Sequence, residues 1–184
     1  MPELARENLS TRSLYNNASP LVTGSLPPFA EIRSIRVAEG RFYDWGDNAQ
    51  GRRVAFLGSN IKKQLFSTRP AVGESIYINN LPYTVIGIME SKDQNSSYDG
   101  WDVDKVFVPF SAMLRDFPNK PPQLSTSVDH LLVAPKSLEA HETCKWQVRR
   151  ALGRIHNFDL ETRKPLPSGT RSRRPRDFRR SWTA

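Results

Sequence analysis

The stretch that decides the fold is residues 75–89, which read S-I-Y-I-N-N-L-P-Y-T-V-I-G-I-M. Its first five residues alternate isoleucines with polar side chains, which is typical of a strand with one buried face. Asn79 and Asn80 tolerate the left-handed backbone of a tight reversal. The segment Pro82 to Met89 is apolar at most positions. The pattern therefore predicts a hairpin whose second strand is buried on both faces.

Further strands and helices flank this hairpin without a regular strand-helix-strand period. Strands are predicted at 53–57, 105–108 and 128–133, and short helices after Gly58 and from Ser111. A last helix is predicted after Ser137, with an apolar stripe formed by Cys144, Val148, Ala151, Leu152 and Ile155. These elements indicate an α+β fold, with a small mixed sheet and short helices packed on one side.

The sequence divides into three parts by composition. Residues 1–27 read as an irregular lead-in that contributes little core, with at most one short edge strand near residues 21–23. Residues 28–158 hold the predicted folded domain. Residues 159–184 are rich in arginine and proline and have almost nothing to bury, so a disordered basic tail is expected.

The positive charge of the chain is concentrated at its C-terminal end. The net charge is +8, but residues 161–184 hold eight cations and two acids, and residues 1–160 carry only +2. The run R-S-R-R-P-R-D-F-R-R at 171–180 could neutralise phosphates, so a small nucleic-acid-binding protein is the alternative function. The near-neutral upstream part argues against it, since it shows no motif of nucleic-acid recognition.

Residues with catalytic or metal-binding chemistry are scattered along the sequence. The three histidines lack the spacing of a helical zinc pair, so surface or strand-end positions are expected for them. Asp99, Asp102 and Asp104 are a weak calcium candidate, because the loop lacks a central glycine and a closing Glu. A solvated loop is favoured. The sequence therefore predicts no catalytic residue, metal ligand or cofactor.

Three further features have competing interpretations. The turn Leu57-Gly58-Ser59-Asn60 resembles an anion-binding loop, but helix capping by Ser59 or Asn60 is favoured, since a second glycine and a lysine are missing. A packed thiol is favoured for Cys144 over a nucleophile supported by the nearby His141. Three aromatic residues form a partner contact or fold back onto the sheet: Tyr98, Trp101 and Phe117.

The sequence contains no run of about 18 to 20 apolar residues and no N-terminal signal pattern. A membrane span within this chain is therefore not expected. Cys144 is the single cysteine, so it cannot form an intrachain disulfide.

A series of short motifs stands between Gly40 and Ile88. The motifs are Gly40-Arg41-Phe42 with Asp47, Arg53-Val54-Ala55-Phe56-Leu57-Gly58, Leu65-Phe66, Pro70-Ala71-Val72-Gly73 with Ile76 and Ile78, and Tyr83-Thr84-Val85-Ile86-Gly87-Ile88. Their order and spacing resemble the MacB-like periplasmic core domain of ABC-transporter permeases of the MacB/FtsX-like type. The resemblance covers roughly residues 28–158.

The resemblance implies a non-catalytic domain on the outer side of the cytoplasmic membrane. Such a domain relays motion driven by ATP hydrolysis in separate cassettes to transmembrane export or lipoprotein handling. The implied partners are the transmembrane part of the permease, a separate ATP-binding cassette protein and an adaptor protein, and nucleic acid is not among them. No cofactor is implied.

The resemblance also implies that the motif residues are scaffold residues, which shape turns and fill the sheet core. The scaffold residues are Gly40, Arg41, Phe42, Asp47, Val54, Leu57, Gly58, Leu65, Phe66, Gly73, Ile76, Ile78, Tyr83, Val85 and Gly87.

The C-terminal tail suggests a hypothesis about the gene. Seven arginines stand in the last 24 residues, which favours out-of-frame translation of GC-rich DNA and hence a gene fragment. A genuine basic extension is the competing explanation. Translating the flanking DNA in all frames decides between them, because a fragment requires apolar helix-coding segments on the flanks.

Overall fold

The computed structural model describes residues 1–94, 97–135, 137 and 139–156. The expected disorder of the tail concerns residues outside these ranges. The strands are β1 (Pro2–Arg6), β2 (Thr11–Arg12), β3 (Asn17–Ala18), β4 (Leu21–Ser25), β5 (Val37–Gly40), β6 (Val54–Leu57), β7 (Ser75–Ile78), β8 (Leu81–Met89), β9 (Lys105–Pro109) and β10 (His130–Leu131). The helices are α1 (Phe29–Ile32), α2 (Trp45–Ala49), α3 (Ser59–Phe66), α4 (Phe110–Asp116) and α5 (His141–His156), with a 3-10 turn at Asp102–Asp104.

The chain forms two compact units. The first comprises Met1–Asp93 and Gly100–Leu132, and it contains every strand given above. The second includes α5, whose Cys144, Val148 and Leu152 are half-buried. Ala151 is exposed and Ile155 is 74% exposed, so the predicted stripe of α5 is only partly covered.

The strands of the first unit form one mixed sheet. Its order is β10-β1-β4-β9-β6-β8-β7-β2-β3, and β5 pairs separately with β8. The pairs β4–β9 and β6–β8 are parallel, while the remaining neighbours are antiparallel. The predicted α+β class with a mixed sheet is therefore confirmed.

Strand β8 is the longest strand, and two shorter strands share one of its edges. β7 pairs with its first half, Leu81 to Thr84, and β5 pairs with its last three residues. Loop backbone fills the gap, since Gly73 N donates to Val85 O at 2.8 Å and Arg41 N donates to Ile86 O at 2.9 Å. The main chain of β8 is thus satisfied along its whole length, as a buried strand requires.

Side chains from alternate positions build a core on each face of the sheet. In β6, Ala55 and Leu57 belong to a cluster with α3 and α4, whereas Phe56 joins the opposite cluster with Phe29 and Phe107. This alternation follows from the two-residue period of a strand. Helices α3 and α4 pack on one face, as predicted, while α1 and the loop around Tyr43 cover the other.

The predicted hairpin is confirmed as β7 and β8. The predicted strand and helix before it are present as β6 and α3, and those after it are present as β9 and α4. Asn79 and Asn80 have φ values of 48° and 70°, as a reversal of this kind demands. The predicted strand at 128–133 is reduced to His130–Leu131. The last helix begins at His141, and Ser137 Oγ accepts a hydrogen bond from Ala140 N at 3.3 Å.

The expected irregular lead-in is wrong, because residues 1–27 contain four strands. β4 lies between β1 and β9 inside the sheet, and Leu4 and Val22 are fully buried. The edge strand expected near residues 21–23 corresponds to β4. Its position inside the sheet was not expected, because three of its five residues are Thr23, Gly24 and Ser25, which carry little apolar signal. They are buried by their neighbours along the sheet rather than by their own hydrophobicity.

Candidate functional site

The segment Gly40-Arg41-Phe42 crosses the end of β8 at close range. Gly40 has a φ of 74°, where a side chain is strained, and a Cβ there would collide with the carbonyl of Ile86. Gly87 lies on the other side of this contact, against the backbone of Arg41. Phe42 then packs on Phe56 with ring centroids 4.9 Å apart. The first motif therefore anchors the α2 loop to the sheet.

Asp47 is the centre of the first of three carboxylate clusters. Its buried carboxylate accepts hydrogen bonds from Arg41 Nη1 at 2.6 Å and Arg52 Nη1 at 3.2 Å. It also forms a capping box with Asp44 at the start of α2. The bond from Arg41 outweighs the effect of burial and holds the pKa of Asp47 below its ordinary value. Asp47 thus keeps its charge and fixes the loop.

Asp102 is the centre of the second cluster, which sequence reasoning missed. Its side chain is fully buried and accepts from Arg33 Nη2 at 3.0 Å to both oxygens. Lys92 Nζ lies 2.8 Å away, and the buried Lys105 Nζ lies 3.6 Å away. Burial alone would raise the pKa of Asp102, but the hydrogen bonds from Lys92 and Arg33 lower it overall.

This geometry corrects the expectation of a solvated loop and disfavours the calcium alternative at Asp102. A calcium ion requires several oxygen ligands that are free to coordinate. Asp102 instead faces three cations, which occupy the positions that a metal ion would take. Asp104, the neighbouring carboxylate, accepts from Asn60 Nδ2 at 2.8 Å. Arg33 lies 69 positions from Asp102 in the sequence, so this ion pair leaves no local sequence signal.

Asp116, at the end of α4, is the centre of the third cluster. Arg53 and Arg115 both bind it through two nitrogens at distances from 2.8 to 3.1 Å, and Tyr83 Oη donates to it at 2.7 Å. Burial opposes ionisation, yet these three donors hold the pKa of Asp116 far below its ordinary value. The cluster joins β6, β8 and α4.

Gly58 gives the backbone of the 3-10 turn room to approach α3. Gly58 N donates to Lys105 O at 2.9 Å, and a Cβ on Gly58 would collide with the carbonyl of Val103. Gly58 is itself the N-cap, and no side chain makes a capping hydrogen bond. The predicted cap by Ser59 or Asn60 is therefore wrong, although the glycine turn is present.

The other scaffold residues lie in the sheet core or beside it. Leu57, Leu65, Phe66, Ile76, Ile78, Tyr83 and Val85 belong to the cluster under α3 and α4. Val54 packs against the opposite cluster. Gly73, with a φ of 90°, turns the chain into β7. These positions agree with packing roles, which remain predictions until they are tested by substitution.

The remaining candidate residues have different surroundings, and among them Phe117 contacts a motif residue. His130 Nδ1 lies 3.7 Å from Glu3 Oε2, and His141 Nδ1 lies 3.2 Å from Glu142 Oε1. The side chain of His156 is outside the described part. Phe117 folds back onto Tyr83 in a stacked contact of 6.3 Å, whereas Trp101 is 46% exposed.

The chemistry of the three carboxylate clusters is structural. Each carboxylate is neutralised by at least two cations and accepts several hydrogen bonds, so it offers no basic oxygen for proton transfer. Within the residues that the structure describes, no helix combines the length and the apolar composition needed to cross a membrane. These features define an α+β domain whose three buried carboxylates are held in internal ion pairs.

This fold is that of extracytoplasmic domains of ABC-type transporters. The extracellular domain of the noncanonic ABC-type transporter YknZ from Gram-positive bacteria superimposes with a TM-score of 0.71, over 86% of this chain and 76% of that one, at 15% identity. The periplasmic region of MacB from Actinobacillus actinomycetemcomitans gives a TM-score of 0.61, over 83% of this chain and 66% of that one, at 15% identity.

The particular family follows from the sequence. The profile of the MacB-like periplasmic core domain matches residues 1–151, so the chain belongs to that family. The chain is 32% identical over 103 residues to the pyoverdine export ATP-binding/permease protein PvdT of Pseudomonas aeruginosa. It is 26% identical over 106 residues to the macrolide export ATP-binding/permease protein MacB of Vibrio parahaemolyticus.

The matched regions are a small share of those relatives. They cover 55% and 58% of this chain but only 15% and 16% of PvdT and MacB, respectively. The ABC transporter permease YknZ of Bacillus subtilis is 25% identical over 111 residues, which cover 60% of this chain and 27% of YknZ. The chain thus corresponds to one domain of much longer proteins.

Proposed function

We propose that this chain serves as the extracytoplasmic domain of an ABC exporter permease and transmits ATP-driven motion to transmembrane export. The observation that carries the proposal is the family match over residues 1–151, supported by the fold shared with the YknZ and MacB domains. The domain performs no chemistry of its own in this proposal. It acts as a mechanical part.

A mechanical relay must move as one piece, and the ion-pair clusters give the first unit that property. Asp102 joins α1 through Arg33, the segment after β8 through Lys92, and β9 through Lys105. Buried charges that are paired and hydrogen-bonded hold one arrangement, because any displacement leaves a charge uncompensated in the interior. A force on one of these elements is therefore passed to the others.

The proposed partners follow from the same family. They are the transmembrane part of a permease, a separate ATP-binding cassette protein and an adaptor protein. The proposed location is the outer side of the cytoplasmic membrane. The names of PvdT and MacB support the transmembrane permease part, since both are export ATP-binding/permease proteins. Because each combines ATP-binding and permease functions in one protein, the separate cassette protein and the adaptor rest on the family resemblance alone.

A graft into a relative tests the proposal directly. Residues 1–151 replace the matching segment of the Pseudomonas aeruginosa PvdT, and pyoverdine export is compared with that of a strain whose PvdT lacks the segment. We expect the graft to restore part of the export. A matched graft that carries Gly58→Leu, which forces the 3-10 turn away from α3, should fail.

Membrane blots and ATP hydrolysis in isolated membranes show whether each chimera is intact. The proposal is contradicted by a chimera that is inserted, resists proteolysis as the parent does and hydrolyses ATP, yet exports no more pyoverdine than the strain lacking the segment.

A further inference from the structure

A groove lined by polar side chains lies between the β2–β3 hairpin and α3, at the end of the sheet where β3 is the last strand. Ser13 Oγ donates to Leu65 O at 2.7 Å and fixes the hairpin to the helix. We name it the hairpin–helix groove. Its lining residues are Arg12, Ser13, Leu14, Tyr15, Asn16, Asn17, Gln64 and Ser67, none of which is acidic.

Four cations surround this groove. Arg12 lines it, Lys62 Nζ donates to Ser67 O at 3.1 Å, and Arg69 lies 4.5 Å from the ring centroid of Tyr15. Lys63 is exposed on α3. Among the described residues, none of the four has a carboxylate oxygen within 4.0 Å. The positive charge at the groove therefore has no direct carboxylate partner within the part of the chain that the structure describes.

The contrast with other arginines of the domain is informative. Arg41, Arg52, Arg53 and Arg115 are also half-exposed, yet each forms an ion pair with Asp47 or Asp116. Arg12 and Arg69 instead rest on the rings of Tyr77 and Tyr15. A guanidinium that stacks on an aromatic face keeps its N–H groups at the edge of the plane, where an incoming carboxylate can accept from them.

Apolar side chains stand beside these cations at the hairpin tip. Leu14 is 75% exposed and Tyr15 is 46% exposed. Tyr15 is held in place by an edge contact with Phe66 at 6.1 Å and by Arg69. Tyrosine and arginine are the side chains that most often dominate protein interfaces, especially when they are already fixed in the unbound state.

We propose that the hairpin–helix groove docks an acidic segment of a partner protein. Charge complementarity selects an acidic partner over a second copy of this chain, whose net charge is +8. The amide side chains of Asn16, Asn17 and Gln64 can donate to and accept from peptide groups. A concave groove fits a polypeptide segment, whereas a flat bilayer surface would meet only the tip at Leu14. The proposal goes beyond the export function and does not depend on it.

The test uses the full chain and poly-L-glutamate as the probe, with affinity measured at low and at physiological salt. The double variant Arg12→Gln/Arg69→Gln removes two groove cations and should weaken binding roughly three- to tenfold, as the loss of two exposed ion pairs implies. The matched control is Arg36→Gln/Arg150→Gln, which removes the same charge at exposed positions elsewhere and should change affinity less than twofold. Thermal unfolding confirms that both variants are folded.

Each other outcome overturns the proposal. If both double variants weaken poly-L-glutamate binding equally, the probe responds to the overall charge of the chain. If neither variant weakens binding, the probe binds the basic C-terminal residues. Tighter binding to phosphatidylglycerol vesicles than to poly-L-glutamate, with loss in the groove variant alone, would assign the groove to a membrane surface. Failure of the unmodified chain to bind poly-L-glutamate at low salt would also refute it.

Discussion

At the scale of single residues, Asp102 shows how a buried charge is kept ionised by several cations around it. Its three cations come from positions 33, 92 and 105. Removing one partner of a buried ion pair is costly, because the remaining charges lose their compensation in a medium that solvates them poorly.

We predict that Asp102→Asn lowers the free energy of unfolding by about 3–5 kcal/mol. The amide cannot balance the buried Lys105 or the Arg33 guanidinium. Urea unfolding followed by circular dichroism measures the effect. Asp44→Asn is the control, since Asp44 is exposed and lies 3.5 Å from Arg41. A loss below about 1 kcal/mol, within the range of exposed pairs, would contradict the role assigned to Asp102.

The same residue predicts a pH dependence. The folded-state pKa of Asp102 is lowered from its ordinary value of 3.8. Its stabilisation is therefore fully present above that value and is lost as the pH falls through the folded-state pKa. The acid loss of stability should be shallower in Asp102→Asn than in the unmodified chain. Between pH 5 and pH 2 the two chains should differ by up to about one in the number of protons taken up on unfolding. Parallel stability curves over this range would contradict the prediction.

Gly58 is required because a side chain has no room there, whereas Gly73 is required because of its backbone conformation. A Cβ on Gly58 meets backbone, with Asp102 O at 2.7 Å, whereas a Cβ on Gly73 meets nothing within 4 Å but sits at a φ of 90°. We predict a cost of about 2–3 kcal/mol for Gly58→Ala and about 1 kcal/mol for Gly73→Ala. The denaturant midpoints of the two variants measure these costs, provided that the denaturant dependence of the unfolding free energy is unchanged. A larger cost for Gly73→Ala than for Gly58→Ala would be inconsistent with this geometry.

The role of a residue could be predicted from the sequence when it depends on residues nearby in the chain. The glycine motifs and the isoleucines of β7 were identified because neighbouring residues define their roles. Asp102 was expected to be solvated because it ends a polar, turn-rich segment, whereas Arg33 lies 69 positions away in the sequence. Asp116 was missed because two of its donors, Arg53 and Tyr83, lie 63 and 33 positions away in the sequence.

At the scale of elements, the strands with strong apolar patterns were predicted and the short polar ones were not. The hairpin of β7 and β8 followed from alternation and from its two asparagines. β1 was not predicted and β4 was expected only as a short edge strand, because Glu3, Thr23 and Ser25 are buried yet polar. Burial of such residues is decided by strand order, which no local window of sequence contains.

A substitution pair tests the contribution of the first strands to the core. Leu4→Ala in β1 should lower the free energy of unfolding by about 3 kcal/mol, since Leu4 is fully buried against the main cluster. Leu14→Ala at the 75% exposed hairpin tip should change it by less than about 0.5 kcal/mol. Similar small effects of both substitutions would show that β1 does not belong to the folded core.

At the scale of the whole molecule, the class of protein was predicted more fully than the arrangement of its strands. The motif series between Gly40 and Ile88 indicated the family that the profile match then established. The sheet order could not be predicted, because it brings β4 beside β9 and β1 beside β10. The paired residues are 84 positions apart in β4 and β9, and 127 to 129 positions apart in β1 and β10.

The basic C-terminal residues define a prediction for the whole chain. A chain that ends at Leu160 should unfold at the same temperature as the full chain, because residues 161–184 offer little apolar surface to bury. Any affinity of the full chain for nucleic acid in filter binding at graded salt should disappear. Unchanged affinity after truncation would refute binding through the arginine-rich segment.

The parallel pairing of β4 with β9 constrains how this domain emerges from the ribosome. Residues 21–25 find their neighbours at 105–109, and β1 finds its outer neighbour only at 130–131. During synthesis, β1 and β4 therefore keep unpaired edges until most of the domain has been made. Until the late strands are made, these open edges expose the nascent chain to pairing with other polypeptides.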